Sequence, residues 1–130
     1  MRTAVVATLA GGALILGSSA AASAAPVPIN IKIPNTVVIE ETTPNFTQLA
    51  VPLKVTCDPS FGTISFNVLV AQGSVGGFAF VPSVTCTGKT VNVVAHPQSN
   101  FGTFFTPGRA RVTVNEFARG HVFQKYVTIK

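Results

Sequence analysis

The residues that could do acid–base or nucleophilic chemistry are few. Glu40, Glu41, Asp58 and Glu116 are the whole acidic inventory, and His96 and His121 are the histidines. Glycoside hydrolysis needs two carboxylates flanking the scissile bond, a role for which Asp58 and Glu116 would have to meet. Asp58 lies in Cys57-Asp58-Pro59, which is turn chemistry. Glu116 interrupts a run containing Arg111 and Arg119 and reads as half of a surface ion pair. A Ser–His–acid triad would have to use His96 or His121, yet one precedes Pro97 and the other follows Gly120, ordinary places for a polar strand-end residue. Gln72-Gly73-Ser74-Val75-Gly76 lacks the spacing of a nucleophile elbow. Two histidines without a carboxylate cluster do not fill a zinc site, and the oxygen ligands for calcium are missing. The expectation is a protein with no catalytic residue, no metal and no cofactor.

Three other groups carry potential chemistry. Cys57 and Cys86 are the only cysteines and lie 29 positions apart. In an oxidising compartment they read as one structural disulfide, worth roughly 3–4 kcal/mol by loop entropy. Without a Cys-x-x-Cys pair, redox catalysis is not expected. Charge is asymmetric: beyond Cys86 stand Lys89, Arg109, Arg111, Arg119, Lys125 and Lys130 against Glu116 alone. Arg109 and Arg111 share one strand face, opposite Ala110 and Val112, and would suit an anionic partner. Finally, Phe101, Phe104 and Phe105 crowd a Gly- and Pro-punctuated loop. They either fold back as a lid on the core or form an exposed apolar platform, and Phe78 and Phe80 pose the same question.

These groups need elements to position them. The chain has 130 residues, 47% apolar and only 10% charged, with a net charge of +5. That excludes a charge-rich disordered tail, a coiled coil and a zinc finger. Residues 1–24 read as an export signal: Arg2 near the start, an uncharged apolar run from Ala4 to Leu16, then Ala22-Ser23-Ala24 as a cleavage site. Residues 25–34, with three prolines, read as an extended lead-in or edge strand. Residues 35–130 read as a single domain in which apolar residues alternate. Leu49, Val51, Leu53, Val55 and Cys57 form one inward set; Ile64, Phe66, Val68 and Val70 another; Ala110, Val112 and Val114 a third. The last segment, from His121 to Ile129, has mixed parity and suggests a bulge or burial on both sides. Turn signals separate these runs at about a dozen residues, as expected for an antiparallel sandwich or barrel. The fold class expected is all-β, an antiparallel immunoglobulin-like β-sandwich of about seven to eight strands with one disulfide. No later segment has membrane-spanning length, so secretion is the expected localisation.

Val55-Thr56-Cys57-Asp58, Val70-Ala71-Gln72-Gly73, Cys86-Thr87-Gly88-Lys89 and the stretch from Phe105 to Val112 together resemble one group of bacterial proteins. These are small, signal-peptide-bearing, two-cysteine β-sandwiches of unknown function. The group often has a Trp after the second Cys-x-Gly, where this chain has Lys89-Thr90-Val91. The resemblance implies the fold and the compartment, and implies no activity. The expected function is a secreted, non-enzymatic binding or structural module at the cell surface or outside the cell. Its partner would be an anionic cell-envelope polymer or another extracellular protein, and not nucleic acid. The alternative is a secreted inhibitor or effector that inserts the Phe101–Phe105 loop into a protein partner. The oligomeric state is not legible.

Overall fold

The computed structural model describes residues 29–130. The expected export leader, residues 1–24, and the first part of the lead-in lie outside the described residues. Nine strands follow one another: β1 Asn30–Lys32, β2 Thr36–Thr42, β3 Thr47–Thr56, β4 Thr63–Gln72, β5 Val75–Thr85, β6 Val91–Ala95, β7 Gln98–Ser99, β8 Gly108–Glu116 and β9 His121–Ile129. A single 3-10 turn, Pro59–Phe61, is the only helical element among the described residues, and none is long and apolar enough to cross a membrane.

The expected alternation appears in the three longest core runs. On β3, Leu49, Val51, Leu53 and Val55 are sealed from solvent, with Gln48, Pro52, Lys54 and Thr56 on the other face. Ile64, Phe66, Val68 and Val70 do the same from β4, and Ala110, Val112 and Val114 from β8. The proline-rich lead-in contributes an edge strand, since β1 pairs with β3 and buries Ile31 between the core residues Ile29 and Ile33. β9 differs from expectation. Its pairing with β8 runs without a shift from Gly108↔Ile129 to Glu116↔His121, so there is no bulge. Its alternation is strict, but Val122 and Tyr126 are exposed while Lys125 is half-buried and donates from Nζ to the Ile33 carbonyl at 3.2 Å.

The sheet closes on itself. Going round, β3 pairs β2, β2 runs parallel to β9 at Thr36↔Thr128 and Val37↔Ile129, and β9, β8, β4 and β5 follow as antiparallel neighbours. The two residues of β7 bridge β5 back to β3, completing a ring of seven strands. An open pair of sheets was expected; the ring departs from it at the end where β3 begins. Towards the other end of β3 the pairing falls into two groups, β1-β3-β6 and β9-β8-β4-β5, and the register joins neither β1 to β9 nor β6 to β5. There the Cys57–Cys86 disulfide is formed, tying the end of β3 to the end of β5 with both residues buried. The bridge is flanked by backbone bonds from Gly88 N to the Cys57 carbonyl and from Cys86 N to the Gly62 carbonyl, both 2.9 Å.

Candidate functional site

The Phe loop divides between the two roles. Phe105 is 3% exposed and belongs to the core, whereas Phe101 is 82% and Phe104 40% exposed. Three anchors hold the loop. Asn100 N donates to the Gly76 carbonyl, Gly102 N to the Asn45 carbonyl, and Ser99 Oγ to the Thr103 carbonyl at 2.6 Å. Ser99 Oγ also accepts from Thr47 N, so the loop is fastened to the start of β3. At its far end Gln72 acts as a clamp. Its Oε1 accepts from Thr106 N, and its Nε2 donates to the Thr106 carbonyl at 2.8 Å. The exposed rings are therefore carried by a loop whose backbone is hydrogen-bonded to its neighbours at both ends.

Beside this loop lies the outer face of β5-β4-β8-β9. Cross-strand register puts Gly76, Ala71, Arg111 and Tyr126 in one row and Phe78, Leu69, Thr113 and Gln124 in the next. Phe80, Asn67, Asn115 and Val122 form the third. Arg109 projects from the same face, with its guanidinium 4.0 Å above the Tyr126 ring, a cation–π contact that leaves its N–H edge available. A groove of about 390 Å³ runs between the first two rows, bordered by Leu69, Arg111 and Gln124. None of these residues is acidic, and Phe78, Phe80, Val122 and Tyr126 are all more than half exposed. Asn67 Oδ1, in the third row, is shielded from solvent and has no hydrogen-bond partner among the described residues. Of the expected patch, then, Phe101, Phe104, Arg109 and Arg111 are outward and Phe105 is not. Phe78 and Tyr126 enlarge the patch. Phe78 stands out in the sequence, whereas the mixed parity of residues 121–129 hid Tyr126.

The acids and histidines meet in two places. Glu40 Oε1 contacts His96 Nδ1 at 2.7 Å and accepts from Gln48 Nε2 at 2.8 Å, while Gln98 Nε2 donates to Gln48 Oε1. This polar ladder crosses β2, β3 and β7 on the surface. The Gln48 hydrogen bond first, and the His96 contact second, hold the Glu40 carboxyl below the ordinary carboxylate value. The second place corrects the reading of Glu116 as surface chemistry. Glu116 shares the inward parity of Ala110, Val112 and Val114 and is 1% exposed. Its carboxylate accepts from Arg119 Nη1 at 3.0 Å and Arg119 N at 3.3 Å, with His121 Nδ1 at 3.2 Å. Arg119 also stacks over the Phe61 ring at 4.4 Å. These contacts lock the β8–β9 hairpin onto the 3-10 turn. Asp58 is the cap of that turn, accepting from Ser60 N at 2.8 Å. Among the described residues no hydroxyl bonds either histidine ring, and no three His, Cys, Asp or Glu side chains gather as a metal site.

No family model, curated protein or solved structure matches the chain.

Proposed function

We propose that the protein is a secreted binding module without catalytic activity, acting at the cell surface or in the extracellular space on an anionic envelope polymer. The observation that carries this reading is the continuous outer face of β5-β4-β8-β9, where exposed Tyr126 stands beside Arg109 and Arg111 and exposed Phe78 lies across β4 in the next row, with no acidic residue among them. Exposed aromatic clusters of this kind mark interaction surfaces, and cations without neighbouring acids favour an anionic partner. The acid and histidine pairs are engaged in structural contacts, which leaves them little reason to be read as reaction machinery.

Secretion rests on the disulfide together with the leader read from residues 1–24. We read the disulfide end as an immunoglobulin-like sandwich. The order β9-β8-β4-β5 facing β1-β3-β6 supports it, as does β2 alongside β9 in parallel. This fits the resemblance to the small two-cysteine secreted proteins of bacteria. A second reading, an inhibitor or effector of another protein, draws on Phe101, the most exposed large apolar side chain among the described residues.

Co-sedimentation of the disulfide-intact protein with cell-envelope material tests the proposal. Binding that weakens as salt rises supports an anionic polymer. Binding to a soluble protein and not to envelope material would favour the second reading, and binding to neither would reject both.

A further inference from the structure

The β1-β3-β6 group carries a different anomaly. Lys32 and Lys54 are directly opposite each other in the antiparallel pair of β1 and β3, and Asn92 of β6 is opposite Lys54 on its other side. All three side chains are exposed. Like charges directly opposed across two strands repel, so such a row normally has an acid nearby. The ion pairs of Glu40 with His96 and of Glu116 with Arg119 and His121 do not involve Lys32 or Lys54. Glu40 is bonded to Gln48, which lies about 20 Å further along β3 at the usual strand rise. Lys125, on the far side of β1, adds a third ammonium to the neighbourhood through its bond to the Ile33 carbonyl.

On one side of the lysine row the outward side chains are the polar Asn30 and Thr56, and on the other they are apolar. Pro34, Pro52 and Val94 line a groove of about 310 Å³ together with Lys32, Lys54 and Asn92, a volume at the small end of ligand sites. The groove thus offers two lysines from directly paired positions, the amide-bearing Asn92 beside them, and an apolar wall.

We infer that this groove seats an acidic sugar chain, with Lys32 and Lys54 holding a carboxylate, the Asn92 amide meeting a ring hydroxyl, and Pro34, Pro52 and Val94 covering the C–H face of the ring. A bound carboxylate would offset the repulsion between Lys32 and Lys54. The apolar wall is the reason for choosing a sugar carboxylate over a polyphosphate, which has no C–H face to cover. The site belongs to the other strand group from the Phe78–Arg111 face and stands whether or not that face binds.

The test is titration of the disulfide-intact protein with oligogalacturonate, with a neutral oligosaccharide of equal length, and with polyphosphate of matched charge. The expected result is binding of oligogalacturonate that weakens with salt, at least tenfold weaker binding by Lys54→Gln, and no binding of the neutral chain. Lys54→Gln without ligand should melt no lower than the parent, because a repulsion has been removed. Lys130→Gln, a cation outside the groove, should bind as the parent does. Undiminished binding by Lys54→Gln, equal loss in Lys130→Gln, tighter binding of polyphosphate, or no binding of oligogalacturonate would each overturn the assignment.

Discussion

The Phe105 ring occupies the space in front of Gly77: a Cβ on that glycine would lie 2.8 Å from Phe105 Cε2 and Cζ and 2.9 Å from the Gln98 carbonyl oxygen. Gly77 sits on β5 where β7 pairs with it, so the missing side chain is what lets the Phe loop and the closing strand pack at one point. Gly77→Ala should therefore destabilise by about 1–3 kcal/mol through overpacking. Phe105→Ala should cost about 3–5 kcal/mol through the lost ring and its cavity. Denaturant unfolding measures both. A neutral Gly77→Ala would mean that the ring is not seated there.

Phe101→Ala, by contrast, should change stability by less than about 0.5 kcal/mol, as expected for an exposed side chain. The same unfolding series separates Phe101 from Phe105. A large loss at Phe101 would contradict its exposed position.

The Cys57–Cys86 bridge joins the ends of β3 and β5 where the two strand groups are not otherwise paired. Its removal by Cys57→Ala with Cys86→Ala should cost roughly 3–4 kcal/mol and lower Tm by more than about 10 °C. An unchanged Tm would show that the ring at the opposite end suffices.

Glu40 should titrate below the ordinary carboxylate range, first because Gln48 donates to it and then because His96 contacts the same oxygen. A depressed folded pKa contributes stability that is present above the unfolded value and is lost as pH falls through the folded one. Carboxyl NMR of Glu40 should show the depression, and Gln48→Ala should move the titration back towards the ordinary value. A titration indifferent to Gln48→Ala would contradict the stated cause.

Glu116 is a buried carboxylate held by Arg119 and His121. Arg119→Ala should cost about 1–3 kcal/mol, since it leaves that charge under-bonded. In a Glu116→Gln background the same change should cost less, which a double-mutant cycle reads directly. Equal costs in both backgrounds would mean that Arg119 acts through its contact with Phe61 alone.

Much of the fold was legible because inward parity is written into β3, β4 and β8. Glu116 continues the parity of Val112 and Val114, so its burial was legible too, but its charge suggested solvent. Ring closure was not legible. It depends on Gln98–Ser99, two polar residues among turn signals, and on a parallel contact at Thr36–Val37 in a strand whose one buried residue is Val37. Nor could the three loop phenylalanines be told apart, because a loop has no period. Gly77, distant in sequence, decides which one is buried. The Lys32–Lys54 row is a matter of register, which neither strand states alone.

The central claim is that the outer face of β5-β4-β8-β9, with the exposed part of the Phe loop, binds an anionic envelope polymer. Co-sedimentation with envelope material, comparing the parent protein with Arg111→Gln and Phe104→Ala at low and high salt, tests it most directly. The account predicts that Arg111→Gln binds more weakly and with a shallower salt dependence, and that Phe104→Ala weakens binding at every salt concentration. Parent-like sedimentation of both variants would contradict it.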